Sequence, residues 1–183
     1  MNPREHYFTL FEDLAKRNVD VAHATTTEDE RRFFIEQEYN VIQAGGQLHN
    51  AGWNMLLEGY DGKVDDNGAG STPLLLRTAF SILKHAERED SAAHTAAYNG
   101  AWAIGWEILL HLRAVCENRA QAVANDWISA GVNIPSHVIG ASIEFLDVGP
   151  RFDYFFGVRF SFDIRQHCDL PSARDPVKWR SLS

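Results

Sequence analysis

The densest grouping of potential ligands in the chain is the run from Asp61 to Gly70, DGKVDDNGAG in one-letter code. Clustered carboxylates suit a hard cation such as calcium. Here Lys63 takes the place of the third ligand of an EF-hand loop, and Asp66 stands where the sixth position needs glycine. The run is therefore read as a solvated hairpin loop. Eight histidines raise the question of zinc, yet His85, His94 and His111 are spread over two elements, and no HExxH or His/Cys pair at ligand spacing occurs. Glu107 and His111 lie four apart on a helical stretch and can share a hydrogen bond. With Trp106 they frame the pocket that an enzyme or small-molecule-binding reading would use, although a lone histidine on a helix is far more often a packing residue. A nucleophile elbow, a Walker loop and a dinucleotide fingerprint are all missing, and Gly68-Ala-Gly70 is a bare turn. No catalytic residue, cofactor or metal is expected, and the chain is not read as an enzyme.

Elements that would position any site follow from the apolar pattern. Phe152, Tyr154, Phe156, Val158, Phe160, Phe162 and Ile164 alternate with a mostly polar set that includes Asp153, Arg159, Asp163 and Arg165, the pattern of a half-buried strand. Five aromatic rings on one face need a wide apolar surface opposite. The one long amphipathic helix supplies it, running from a cap at Ser91 to about Asn125. Its stripe is Tyr98, Ala101, Trp102, Gly105, Ile108, Leu109, Leu112, Val115 and Cys116. Trp102 and Trp106 are read as core that packs this helix on the sheet. Ile139, Ala141, Ile143 and Phe145 form another strand, turned into the first by Val148-Gly-Pro-Arg151.

Upstream, Pro3 opens a helix carrying Tyr7, Phe8, Leu10, Phe11 and Leu14 and ending near Asn18. A polar arm follows, then a short strand at Arg31 to Ile35 and a helix from Glu36 to Leu48 weakened by Gly45-Gly46. Asn54 to Tyr60 and Thr72 to His85 read as the two strands of a hairpin around the Asp61 to Gly70 loop. The fold class is thus α+β: a mostly antiparallel sheet from two β-hairpins flanking one long helix, with additional N-terminal helices. Residues 1–165 form a single domain in this reading, and 166–183, with Pro171, Pro176 and Trp179, form a C-terminal arm.

A length of 183 residues suffices for a core without staples. The two cysteines, Cys116 and Cys168, make neither a disulfide framework nor a CxxC pair and are read as reduced and structural. The polar start and the lack of an apolar run near the roughly 20 residues of a membrane span predict neither a secretion signal nor a membrane partner. Seventeen Lys and Arg against twenty-five Asp and Glu, a net charge of −8, argue against a surface built to neutralise phosphates. An acidic chain can still line a passage for DNA, since repulsion prevents sticking.

The order hairpin, long helix, hairpin, with helices before it, resembles the tail-terminator (tail-completion) proteins of long-tailed bacteriophages and phage-like particles. The stretch Phe145 to Phe162, FLDVGPRFDYFFGVRFSF, is similar to the last hairpin of that family. Leu56-Leu57-Glu58 leading into a polar loop, and Ala79-Phe80-Ser81-Ile82-Leu83, resemble the first. The likeness covers roughly residues 33–165, and the chain departs from compact members in its longer N-terminal helices and proline-containing arm. The resemblance implies a structural protein of the virion tail, assembled in the host cytoplasm: a ring, usually a hexamer, that caps the tail tube and joins it to the neck. Its partners would be its own copies, the tail tube protein and a neck or head-completion protein, with DNA only passing through the ring. Another head-tail connector, or the terminator of a contractile injection particle, fits the same residues. Asp61, Lys63, Asp65 and Asp66 in the loop, Arg159 and Arg165 on the polar face of the last strand, and Trp179 in the arm are the residues expected to meet neighbours.

Overall fold

The computed structural model describes residues 3–36, 48–64, 73–152 and 154–167. In chain order these form helix α1 (Pro3–Arg17), a 3-10 turn (Glu28–Glu30), strands β1 (Phe33–Ile35), β2 (Asn54–Leu57), β3 (Asp61–Val64) and β4 (Pro73–His85), helices α2 (Ser91–Glu117) and α3 (Arg119–Ala124), and strands β5 (His137–Arg151) and β6 (Phe155–His167). One mixed sheet of six strands runs β1-β2-β4-β6-β5, with β3 beside β4, and only the β1–β2 pair is parallel. The fold is α+β. The helix expected at Glu36 to Leu48 falls, for 37–47, outside the described residues.

The apolar alternation of β6 holds from Phe156 to Ile164, where Phe156, Val158, Phe160, Phe162 and Ile164 are all buried. Phe152 and Tyr154 are not part of it. Both carry positive φ, 47° and 74°, in the reversal between β5 and β6. The turn therefore comes later than Val148 to Arg151, because the ladder continues to Arg151 opposite Phe155. Phe160 stacks on Phe80 of β4 at 5.4 Å, and Phe11 of α1 approaches Phe80 and Phe162 at 6.2 and 6.3 Å. Each such side chain withdrawn from water contributes about 1.5–3 kcal/mol.

Asp90, rather than Ser91, caps α2, its carboxylate accepting the Ala93 amide at 2.9 Å. An N-cap acceptor satisfies one of the otherwise orphaned first-turn donors. The buried stripe is Ala97, Ala101, Ile104, Gly105, Ile108, Leu109, Leu112, Val115 and Cys116. Burial pushes the Cys116 thiol up to about 12, which leaves it an inert core group. The helix stops at Asn118, whose side-chain amide turns back to the Ala114 carbonyl at 3.1 Å, and α3 begins afresh.

The helix seats on the sheet through one glycine. A Cβ on Gly105 would fall 2.1 Å from a ring carbon of Phe160. Gly157 does the same between strands, since a Cβ there would meet the Ile82 carbonyl oxygen of β4 at 1.8 Å.

Helix α1 buries Tyr7, Leu10, Phe11, Leu14 and Ala15 on one stripe. Its far end is latched to the segment after α3. Asp13 accepts the Ser129 amide at 3.0 Å and the Arg17 Nε–H at 2.8 Å, and it also bonds the Ser129 hydroxyl. Arg17 reaches on to the Asp126 carboxylate at 3.1 Å. Burial opposes the charge on Asp13, but the Ser129 bonds and Arg17 outweigh it and hold the carboxyl below its usual range. The arm after α1 is pinned by buried His23, whose Nδ1 accepts the Arg32 amide at 3.1 Å and whose Nε2 lies 3.8 Å from Glu12. Burial keeps His23 below the ordinary histidine range against the pull of Glu12.

Two measurements check this account. Gly105→Ala is expected to cost about 1–3 kcal/mol in urea unfolding, from overpacking against Phe160, whereas Gly140→Ala, with nothing within 4 Å of its Cβ, leaves the midpoint unchanged. His23 in the unfolded chain titrates near 6.5 and in the folded chain lower, so protonation favours unfolding. Its contribution is complete above that unfolded value and is lost as the pH falls through the folded one. His23→Asn, which keeps an acceptor for Arg32, is expected to flatten this part of a stability–pH curve.

Candidate interaction surface

The two faces of the sheet differ. One lies under α1 and α2. The other is apolar at one end, where Phe34, Leu56, Leu83 and Phe155 cluster with Leu48, and charged at the other. The charged end is a cleft of about 460 Å³ containing Glu36, Glu58, Asp61, Arg77, Glu144 and Arg159.

Glu58 continues the alternation of β2: its amide bonds the Ala79 carbonyl at 2.9 Å, and its side chain shares the face of Leu56 and Arg159. Leu57 pairs with Phe80 and Asp61 with Arg77, so four steps along β2–β3 answer three along β4. The extra residue falls just after Glu58 and bends the edge as a bulge does. The Glu58 carboxylate takes both arms of the Arg159 guanidinium, Nε and Nη2 each at 2.6 Å. The Glu58 carbonyl also accepts the Tyr7 hydroxyl at 3.1 Å, a hydroxyl that bonds Thr78 as well. Arg159 is held above the ordinary arginine range by that Glu58 bond. The fork ties β6 to the β2–β3 edge across β4. Arg77 approaches Glu144 at 3.6 Å, with both side chains mostly in water.

Of the residues expected to meet neighbours, Arg159 is thus engaged within its own chain. Asp61 and Lys63 are exposed, but on strand β3 rather than in a loop, because Asp61–Val64 pairs with Leu74–Arg77. Arg165 is exposed on β6. Asp65, Asp66 and Trp179 lie outside the described residues. Trp106, Glu107 and His111 do not assemble a pocket: Glu107 is exposed, and His111 Nε2 donates to the Trp127 carbonyl at 2.9 Å, fastening α2 to the chain beyond α3. Among the described residues no group of three His, Cys, Asp or Glu could hold a metal ion, and no helix is long and apolar enough to cross a membrane.

What the alternation concealed is the outer edge of β5. Five steps along β5, from Ile139 to Glu144, answer two along β6, from Asp163 to Ser161. The ladder is bridged there by Ser142, whose Oγ accepts the Asp163 amide and donates to the Ile139 carbonyl, each at 2.8 Å. Beyond this bulge, Phe145 and Leu146 stand 58% and 62% exposed. Phe145 is opposite Phe160 and so on the helix side; Leu146 is opposite Arg159 and so on the other. Two large apolar residues in succession were the available signal, since a strand with one wet face does not need both.

Trp102 is also exposed, at 43%, and stacks on half-buried Trp106 at 5.8 Å with the rings 8° from parallel. The core role expected of Trp102 is therefore corrected. Gly105 faces Phe160, and Gly100 faces Trp53 on the β2 side. At about 100° per residue, Trp102 and Trp106 then fall on the opposite flank of α2, toward β5. A strip of apolar side chains thus borders a strand edge that has no partner among the described residues.

Two variants check the internal pair. In a double-mutant cycle of Glu58→Gln and Arg159→Met, the coupling energy from urea unfolding is expected at about 1–3 kcal/mol. No protein-family model matches the chain, and neither a curated protein nor a solved structure does.

Proposed function

We propose that this chain is a structural assembly protein whose copies join into a closed ring, with the role of a phage tail terminator: capping a tail tube and docking it to the neck. The observation that carries the reading is the edge of β5, a fifteen-residue strand with Phe145 and Leu146 exposed on opposite faces. Strand edges are usually blunted by charge, proline, bulges or brevity; this one carries Glu144, Asp147, Pro150 and a bulge, yet it keeps two large apolar side chains exposed between its carboxylates, and apolar residues left on an edge invite pairing. A contact between two different surfaces of identical subunits closes into a ring when its rotation divides a full turn. The net charge of −8 suits a ring through which DNA passes without sticking. Another neck connector would use the same edge, and binding to the tube protein separates the two.

Light scattering and electron microscopy of the purified full chain test this. Closed rings are expected, six copies in the favoured case, forming with rising concentration or on addition of tube protein. The edge variant Phe145→Glu/Leu146→Glu is expected to remain monomeric with an unchanged circular dichroism spectrum. A wild-type chain that stays monomeric at all concentrations and ignores tube protein would overturn the reading.

A further inference from the structure

The open edge of β5 has two chemically different sides, and a strand that completes it must match both. On the helix side Phe145 is followed by exposed Asp147, opposite Val158, and the stacked Trp102 and Trp106 lie on that flank of α2. On the other stand Glu144 and Leu146, beside the cleft that holds Glu58 and Asp61. That cleft has four carboxylates against two guanidinium groups, and Arg159 is already committed to Glu58. A fitting strand would therefore alternate an aromatic residue with basic ones.

The chain contains such a segment. Past His167, the end of β6, it runs on through Val177-Lys178-Trp179-Arg180-Ser181-Leu182. In an extended conformation Val177, Trp179 and Ser181 share one face, and Lys178, Arg180 and Leu182 the other. We infer that residues 177–182 of one copy add as a strand to the outer edge of β5 in a second copy. Trp179 then lies on the Phe145 and Trp102 side, and Lys178 and Arg180 lie toward Glu144 and the acidic cleft. Main-chain hydrogen bonds hold the added strand, and the alternating side chains set its register and specificity. This rests on the ring reading and gives its interface two unlike halves, an edge and a strap.

Direction favours exchange between copies. A chain leaving β6 and folding back over its own sheet would run parallel to β5, the weaker kind of pairing. It would also have to pass the bulge at Gly140 to Ile143 before reaching Phe145. The ten residues from His167 to Val177 can span at most about 33 Å.

Complementation of two full-length variants decides it. The edge variant Phe145→Glu/Leu146→Glu keeps its strap, and the strap variant Lys178→Glu/Trp179→Ser/Arg180→Glu keeps its edge. Each alone is expected to be monomeric by light scattering, while an equimolar mixture forms a one-to-one heterodimer that goes no further, because only one of its two possible contacts remains intact. Trp179→Ala in the wild-type chain is expected to raise the concentration of half-assembly at least tenfold. A strap variant that still forms rings at the wild-type concentration would overturn the strap and leave the ring reading standing. A strap variant that melts earlier as a monomer without any change in wild-type-like association would place the segment on its own sheet and also overturn the exchange. If the wild-type chain itself never associates, the ring reading fails and the strap with it.

Discussion

Helix α2 spans twenty-seven residues and carries much of the core, so the distance at which it sits on the sheet decides what the rest of the chain can do. That distance is set at Gly105. With a ring carbon of Phe160 where a Cβ would stand, the helix backbone lies against the aromatic face itself. Phe160 can then stack on Phe80, and Phe80 and Phe162 can receive Phe11 from α1. The close seat also turns the helix. Once Gly105 points at the sheet, Trp102 and Trp106 are forced onto the flank toward β5, where the sheet has too little width left to cover them. The exposure of Trp102 is thus a consequence of the same contact that makes the core dense.

At the charged end of the opposite face the sheet is locked by an ion pair, beside the apolar cluster of Phe34, Leu56, Leu83 and Phe155. Glu58, still bonded to Ala79 in the ladder just before the bulge, points by ordinary alternation to the Arg159 face, and its carboxylate reaches across β4 to that guanidinium. A bidentate pair fixes orientation as well as distance. Because the Glu58 carbonyl also receives the Tyr7 hydroxyl, one residue links the helix side of the molecule to the charged cleft behind it. Burial pushes the Tyr7 phenol above its ordinary range, so the hydroxyl keeps its proton to donate.

The parts of this fold that could be read from sequence are those with an uninterrupted period. From Phe156 to Ile164 the period of two matches the buried face, and from Ala101 to Cys116 the helical stripe does, except that Trp102 is exposed and that Ile104 is buried without belonging to the expected stripe. Periodicity says which residues share a face but not how far a neighbour extends, so it could not tell that the sheet ends before it covers Trp102. It also gave no warning of Phe152 and Tyr154, which keep their apolar character in a reversal and spend it on packing there, Phe152 against the Phe155 cluster and Tyr154 against that of Phe156. Pairings such as Glu58 with Arg159, separated by 101 positions, leave no local trace. The parallel β1–β2 pair leaves none either, since three residues at Phe33–Ile35 are too few to show a period.

The three departures from regularity lie along one side of the molecule's logic. A bulge in β2–β3 follows the carboxylate that meets Arg159; a larger bulge in β5 is sealed by Ser142 from within; and past that bulge Phe145 and Leu146 stand exposed on opposite faces. An unsupported extra loop at the sheet edge would fray, yet here a side chain supplies the missing acceptor for Asp163 and keeps β5 registered to β6 on both sides of the interruption. The effect is to hold Phe145 and Leu146 rigidly while leaving their outward main-chain groups without a strand beside them among the described residues. Rigidity matters because a partner strand loses less binding free energy when the edge it joins is already extended and fixed. An edge evolved only to avoid aggregation would place its charges at Phe145 and Leu146; this one places Glu144 and Asp147 on either side of them, which leaves the apolar pair available and surrounds it with the charge that a basic strand can match.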